Sequence, residues 1–148
     1  MSPSQPQPLA PPPPPQSDAV PLSVAVRLKP NPENAPTSVV AVPGQNSLIL
    51  TPPPGHPDES LGGRTLSLSH PAGHRVFAES VSQETVFASS VQQYLGLVLV
   101  GYDLTLVAYG QGQSGKTYTL VGADLPLATN EADLGLIPRV VRSLYQGK

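Results

Sequence analysis

Cysteine and tryptophan are absent from the chain, methionine occurs once, and the aromatics are limited to two Phe and five Tyr. The missing cysteines exclude a disulfide framework and a Cys-based metal site, and they agree with an intracellular protein. Charge is thin as well: eight Lys and Arg against ten Asp and Glu leave a net charge of −2, with the cations scattered. That distribution builds no basic face for nucleic acid or an anionic lipid surface. The N-terminus has no basic stretch followed by an apolar core, so no secretory signal is read. Long apolar runs are also lacking. Tyr94 to Gly110 comes nearest to a membrane span, but Gly96, Gly101, Asp103 and Thr105 interrupt it and it is short for one. A helix, a turn and a strand explain it better. His56, His70 and His74 stand in or beside loops at spacings that suit no metal site.

Proline is what the chain has in excess: 17 of its 20 prolines fall within the first 57 of 148 residues. Residues 1–21 carry one charge, Asp18, and five consecutive prolines from Pro11 to Pro15. Such a segment cannot bury enough surface to offset its ordering entropy, so it is expected to be a disordered tail with polyproline II character. A run of this kind can serve an SH3 or WW domain as a ligand, although a passive tail is the plainer reading. Residues 22–148 leave room for one domain at most.

Order is expected from Leu22, where the larger apolar residues of Leu22 to Leu28 alternate as in a strand that ends at Lys29-Pro30. Val39 to Val42 and Ser47 to Leu50 flank Pro43-Gly44-Gln45-Asn46 and predict a β-hairpin. Thr51 to Gly63 reads as a loop, and Leu66 to Ser69 as a short edge strand. A helix is predicted to start at Ser82-Gln83-Glu84, capped by Ser82 or Ser80, with Phe87, Val91, Tyr94, Leu95 and Val98 on one face and Gly101 at its end. Leu104 to Tyr109 is a β-rich apolar run suited to a central parallel strand. Ala123 to Asp133 reads as an acidic loop, and Pro138 suits the first turn of a last helix in which Val140, Val141 and Leu144 share a face.

Between the strand and a helix from Thr117 to Val121 lies Gly110-Gln111-Gly112-Gln113-Ser114-Gly115-Lys116-Thr117, which fits G-x-x-x-x-G-K-[ST]. The consecutive backbone N–H groups of such a loop wrap phosphates. Gly110 lets the chain leave the strand sharply, and Gly115 lets the backbone approach a phosphate oxygen with no Cβ in the way. Lys116 supplies a point charge for the β- and γ-phosphates, and the Thr117 hydroxyl suits Mg²⁺. A strand–loop–helix order places a ligand at the carboxyl end of the strand in an α/β sheet.

Four pieces in this order resemble the kinesin motor domain family. They are Val26-Arg27-Leu28-Lys29-Pro30, Ser82-Gln83-Glu84-Thr85-Val86-Phe87, the stretch from Gly101-Tyr102-Asp103 through Ala108-Tyr109-Gly110-Gln111 to Ser114-Gly115-Lys116-Thr117-Tyr118-Thr119-Leu120, and Gly135-Leu136-Ile137-Pro138-Arg139. The resemblance implies an α/β P-loop fold, a sheet flanked by helices, of which residues 22–148 would be the N-terminal portion. It implies ATP and Mg²⁺ as cofactors, microtubules as the partner through segments beyond this stretch, and the cytoplasm and cytoskeleton as the location. It also implies an adenine pocket from Arg27, Lys29, Pro30 and Tyr118, with the Tyr118 ring on one purine face and the Arg27 guanidinium over the other. Without the resemblance, a solvent-facing strand-end Arg and a core Tyr are the plainer readings.

Departures from the family pattern fall in the loop and beside it. Gly112 replaces a usual Thr, Gln113 a small residue and Lys29 an Arg, while His74 stands near a common Asp. These bear on nucleotide affinity and turnover rather than on fold. Together with the Pro-rich N-terminus they also resemble the Costal-type kinesins of Hedgehog signalling, which act more as scaffolds. The chain contains neither N-x-x-S-S-R-S-H nor D-x-x-G-x-E, the family's γ-phosphate sensor and hydrolysis relay. An N-terminal fragment is therefore expected, with half its sheet unpaired and catalytically inactive alone. An unrelated P-loop kinase is a weaker rival, since such enzymes carry the loop after their first strand; a Pro-rich adaptor is another.

Overall fold

The computed structural model describes residues 22–31, 38–42, 45–51, 64–67, 74–123 and 130–146. The proposed proline-rich tail, His56 and His70 lie outside the described residues. Two small sheets are present among these residues. Strand β1 (Ala25–Arg27) pairs in parallel with β5 (Arg75–Phe77), and β2 (Val39–Ala41), β3 (Ser47–Leu50) and β4 (Arg64–Ser67) form an antiparallel sheet in that order.

The hairpin forms as its pattern predicts, with Val40 opposite Ile49 and the turn closed by Val42 N–H donating to the Ser47 carbonyl at 3.0 Å. Strand β4 does lie at the sheet edge, but two residues earlier than the sequence suggests. Strand β5 went unforeseen. Three residues are too few for a period-2 pattern to register, and only the pairing with β1, in the register Val26 to Val76, defines it.

Helix α1 (Gln83–Ser90) begins at the expected cap, where Ser82 Oγ accepts from Thr85 N–H at 3.1 Å. The single long helix read from the sequence is instead broken at Val91, continuing as a 3-10 turn (Gln92–Tyr94) and α2 (Leu95–Leu99). Ser90 Oγ donates to the Val86 carbonyl, a back-bond that competes with the helical ladder, and Gly96 weakens the next turn. Helix α2 then closes on Gly101, with Gly101 N–H donating to Val98 and Tyr102 N–H to Leu97 in the Schellman pattern.

Phe77, Val86, Phe87, Val91, Leu95 and Leu136 form one buried cluster. Each contributes roughly 1.5–3 kcal/mol on removal from water. Helix α4 (Leu136–Gln146) meets it through Leu136, Val140 and Leu144, spaced four apart. Val141, expected on that face, is 48% exposed because it lies one helical step of about 100° beyond Val140. Gly135, just before α4, answers a close approach: a Cβ there would come within 2.5 Å of the Leu120 and Val121 carbonyl carbons.

Leu104 to Tyr109 is the largest departure. The expected central strand is not formed: among the described residues the segment joins no ladder, and Val107 and Tyr109 are 83% and 99% exposed. Leu104 packs on the core, and the segment leads into the loop as foreseen. A strand exists only through its neighbours, and β1 already pairs with β5 on one side. Between β1 and this segment is a cleft of about 620 Å³ lined by Val24, Val26, Val86, Val91, Leu106 and Leu120.

In the 148-residue chain, amides of 104–109 should exchange hydrogen with less than about tenfold protection, far faster than those of α1. Hydrogen exchange read by mass spectrometry measures this, and protection equal to that of α1 would contradict the open arrangement.

Candidate functional site

The glycine-rich loop runs from the end of the extended segment into α3 (Lys116–Leu120). Its entry to the helix is made by Gly115, at φ 90°, a conformation that costs an L-residue about 1–2 kcal/mol and glycine almost nothing. Gln113 also adopts the left-handed region, at φ 61°, without that exemption. The bulky departure noted in the sequence therefore falls on a turn that favours small residues.

Lys116 folds across the loop, its Nζ donating to the carbonyls of Gly110 at 2.9 Å and Gln111 at 2.7 Å. From the other side, Lys29 Nζ donates to the Gln113 carbonyl at 3.1 Å. Among the described residues, the N–H groups of Gly115, Lys116 and Thr117 have no backbone acceptor. Three successive donors, two ammonium groups and the exposed Thr117 hydroxyl suit an anion with an associated divalent cation.

Beside the loop, Arg27, Leu28, Lys29, Pro30, Ser114 and Tyr118 contribute to a recess of about 40 Å³. Arg27, Lys29, Pro30 and Tyr118 line this recess together, and Tyr118 is 41% exposed rather than a core residue. Arg27 does not take the position expected of it. Its guanidinium lies over the Tyr118 ring itself, 5.3 Å from the centroid, instead of standing opposite it across a space for a base. The reason is hydrogen bonding. Arg27 Nη1 donates to Gln83 Oε1 at 2.6 Å and to Thr119 Oγ1 at 3.0 Å, and Nη2 to the Val81 carbonyl at 3.3 Å. Burial lowers the Arg27 pKa below the ordinary arginine value, with Tyr118 opposing part of that effect.

Gln83 and Thr119 are partners that residue-by-residue reading overlooked. Gln83 was legible only as part of the Ser82-to-Phe87 motif. A sharper signal was present, since Gln83 shares a helical face with the buried Val86 and Phe87 at i+3 and i+4. His74 accepts from Val24 N–H through Nδ1 at 3.0 Å, joining the strand ends. Among the described residues no group of three or more His, Cys, Asp or Glu could hold a metal, and no helix is long and apolar enough to cross a membrane.

Parallel strand pairing, flanking helices and a G-x-x-x-x-G-K-[ST] loop entering a helix define the class: an α/β protein with a phosphate-type loop. The kinesin motor domain family matches residues 72–148, just over half of the chain, and the chain belongs to that family. It is similar to the chromosome-associated kinesin KIF4 of Xenopus laevis, at 32% identity over 136 residues, covering 88% of this chain and 10% of that protein. It is also similar to the kinesin-like protein costa of Drosophila pseudoobscura pseudoobscura, at 34% identity over 85 residues, or 57% of this chain and 6% of that protein. A solved structure of a fast kinesin superimposes with a TM-score of 0.66 and 24% identity, covering 84% of this chain and 32% of that one. The chain thus spans a tenth or less of the length of these two relatives, and its fold is part of a kinesin motor fold.

Arg27→Ala is expected to lower unfolding free energy by about 2–4 kcal/mol, because it strands Gln83 Oε1 and the Val81 carbonyl as well as losing its own bonds. Arg27→Lys should recover less than half, lacking the fork that reaches several acceptors at once. Urea denaturation of the three proteins measures both effects.

Proposed function

We propose that this chain supplies the ATP-binding part of a kinesin-like motor domain. The observation that carries the proposal is the loop 110–117, where the N–H groups of Gly115, Lys116 and Thr117 have no backbone acceptor among the described residues and the Lys116 ammonium is poised across the turn. A triphosphate can take Lys116 from the Gly110 and Gln111 carbonyls, because a phosphate oxygen is the stronger acceptor. The loop amides then orient the β- and γ-phosphates, and Thr117 holds the metal. When bound, Mg²⁺ neutralises charge that develops on the transferring phosphoryl group. Tyr118 offers the base a stacking surface, with Lys29 and Pro30 at its edge. Arg27 lies over the Tyr118 ring and lines the same recess, so it acts on the base through that ring.

In the complete protein, hydrolysis would be coupled to microtubule binding and movement, in the cytoplasm and on the cytoskeleton. Membership of the kinesin motor domain family supports this reading, as do the ATPase and microtubule subjects of the solved fast-kinesin structure. In the full-length protein, Lys116→Ala should weaken binding of a fluorescent ATP analogue on the order of 10–100-fold, the loss of one charge-assisted contact. Unchanged affinity would remove the assignment.

One observation favours a second reading, a non-motile scaffold that binds microtubules and signalling partners with little turnover. Gln113 puts a bulky side chain in a left-handed position, and its carbonyl already engages the Lys29 ammonium, so a nucleotide must compete for that cation. Microtubule-stimulated phosphate release from the full-length protein separates the two: a motor accelerates release by more than tenfold, and a scaffold leaves it near the basal rate.

A further inference from the structure

Among the described residues Gln83 is the largest of the fully buried side chains, at 2% exposure, and it is polar. It lies at the first turn of α1, outside the recess that Tyr118 lines. Both ends of its amide are engaged. Oε1 accepts from Arg27 Nη1 at 2.6 Å, and Nε2 donates to the Tyr118 carbonyl at 2.6 Å. Arginine only donates and a backbone carbonyl only accepts, so the amide can stand in one orientation alone. The amide therefore ties β1, α1 and α3 together at a single point.

That point adjoins an aromatic surface. Gln83 fixes the Tyr118 backbone, and it also fixes the guanidinium that lies 5.3 Å from the centre of the Tyr118 ring. Ring and backbone are thereby held in place, while Tyr118, 41% exposed, lines the recess with Arg27, Lys29, Pro30, Ser114 and Gly115. With a volume of about 40 Å³ the recess cannot enclose a base, so a base would rest against the ring, and the ring's placement sets the fit.

We propose that Gln83 is a positioning residue for the base-binding wall of the nucleotide site, acting through Tyr118 and Arg27 without touching the ligand. This rests on the proposed nucleotide binding and assigns a division of labour within it: Gln83 governs recognition of the base, and the loop governs recognition of the phosphates.

The test uses two probes on the full-length protein, ATP and inorganic tripolyphosphate, which carries the phosphates without a base. Gln83→Met keeps the side-chain length and removes both hydrogen bonds. It should weaken ATP binding about tenfold, the loss of one well-placed stacking contact, and leave tripolyphosphate within twofold of the parent. Gln83→Glu keeps an acceptor for Arg27 but sets an oxygen against the Tyr118 carbonyl; it should show the same selective loss and serves if the Met variant does not fold. In a Tyr118→Leu background the Gln83 substitution should have no further effect on ATP affinity, because its route of action is gone.

Parallel losses for ATP and tripolyphosphate would overturn the proposal, as would unchanged ATP affinity or additive effects with Tyr118→Leu. A parent protein that binds neither probe overturns the nucleotide reading, and this proposal with it. One that binds both, and loses both through Lys116→Ala, keeps the nucleotide reading standing whatever Gln83 does.

Discussion

A half-buried guanidinium and a buried carboxamide set the relative positions of the three elements around the loop. Arg27 brings β1 to α1 through Gln83 and the Val81 carbonyl, and to α3 through Thr119. Gln83 closes the triangle on the Tyr118 carbonyl. Withdrawing these groups costs several kcal/mol unless each finds a partner, and among the described residues no buried side-chain nitrogen or oxygen lacks one. The apolar cluster beside them contributes more energy in total but is tolerant of small shifts. Hydrogen bonds of 2.6 Å are not. Packing therefore supplies the stability of this region, and the Arg27–Gln83 junction supplies its geometry.

The loop is governed by a closer balance. A left-handed Gln113 costs about 1–2 kcal/mol relative to a residue without that strain. The bond from Lys29 to its carbonyl is exposed and returns about 1 kcal/mol at most. These nearly cancel, so the loop's middle is held only weakly, while its C-terminal end continues into α3. Lys116 spans this soft middle by bonding the Gly110 and Gln111 carbonyls. A loop built in this way can exchange internal acceptors for external ones at small net cost, which is what an anion-binding loop requires.

Local chemistry made much of this legible in advance. The Ser82 cap, the hairpin around residues 43–46, the glycine loop entering a helix and the gathering of Lys29, Pro30 and Tyr118 all come from short-range rules or from the family resemblance. Three features escaped those rules, each for a physical reason. Strand β5 has three residues and exists through its pairing alone. The break at Val91 depends on a serine back-bond that periodicity does not register. Arg27 turns toward Gln83 and Thr119 because tertiary packing brings acceptors from 56 and 92 residues away, and no local pattern encodes such partners.

Leu104 to Tyr109 shows where autonomy of the fold stops. Its composition asks for a central strand, yet a ladder requires neighbours that the described residues do not provide, and Val107 and Tyr109 are left in water. Burial of such side chains is worth roughly 1.5–3 kcal/mol each, so the segment carries a standing energetic deficit beside an apolar cleft. The phosphate-type loop beyond it does not share this deficit. Its supports, from β1, α1 and α3, all lie within Ala25 to Leu120 and bond to one another. The groups that position the loop are thus bonded to one another even though the segment that leads into it joins no ladder among the described residues. Order around the loop and pairing of residues 104–109 are therefore separable properties of this chain.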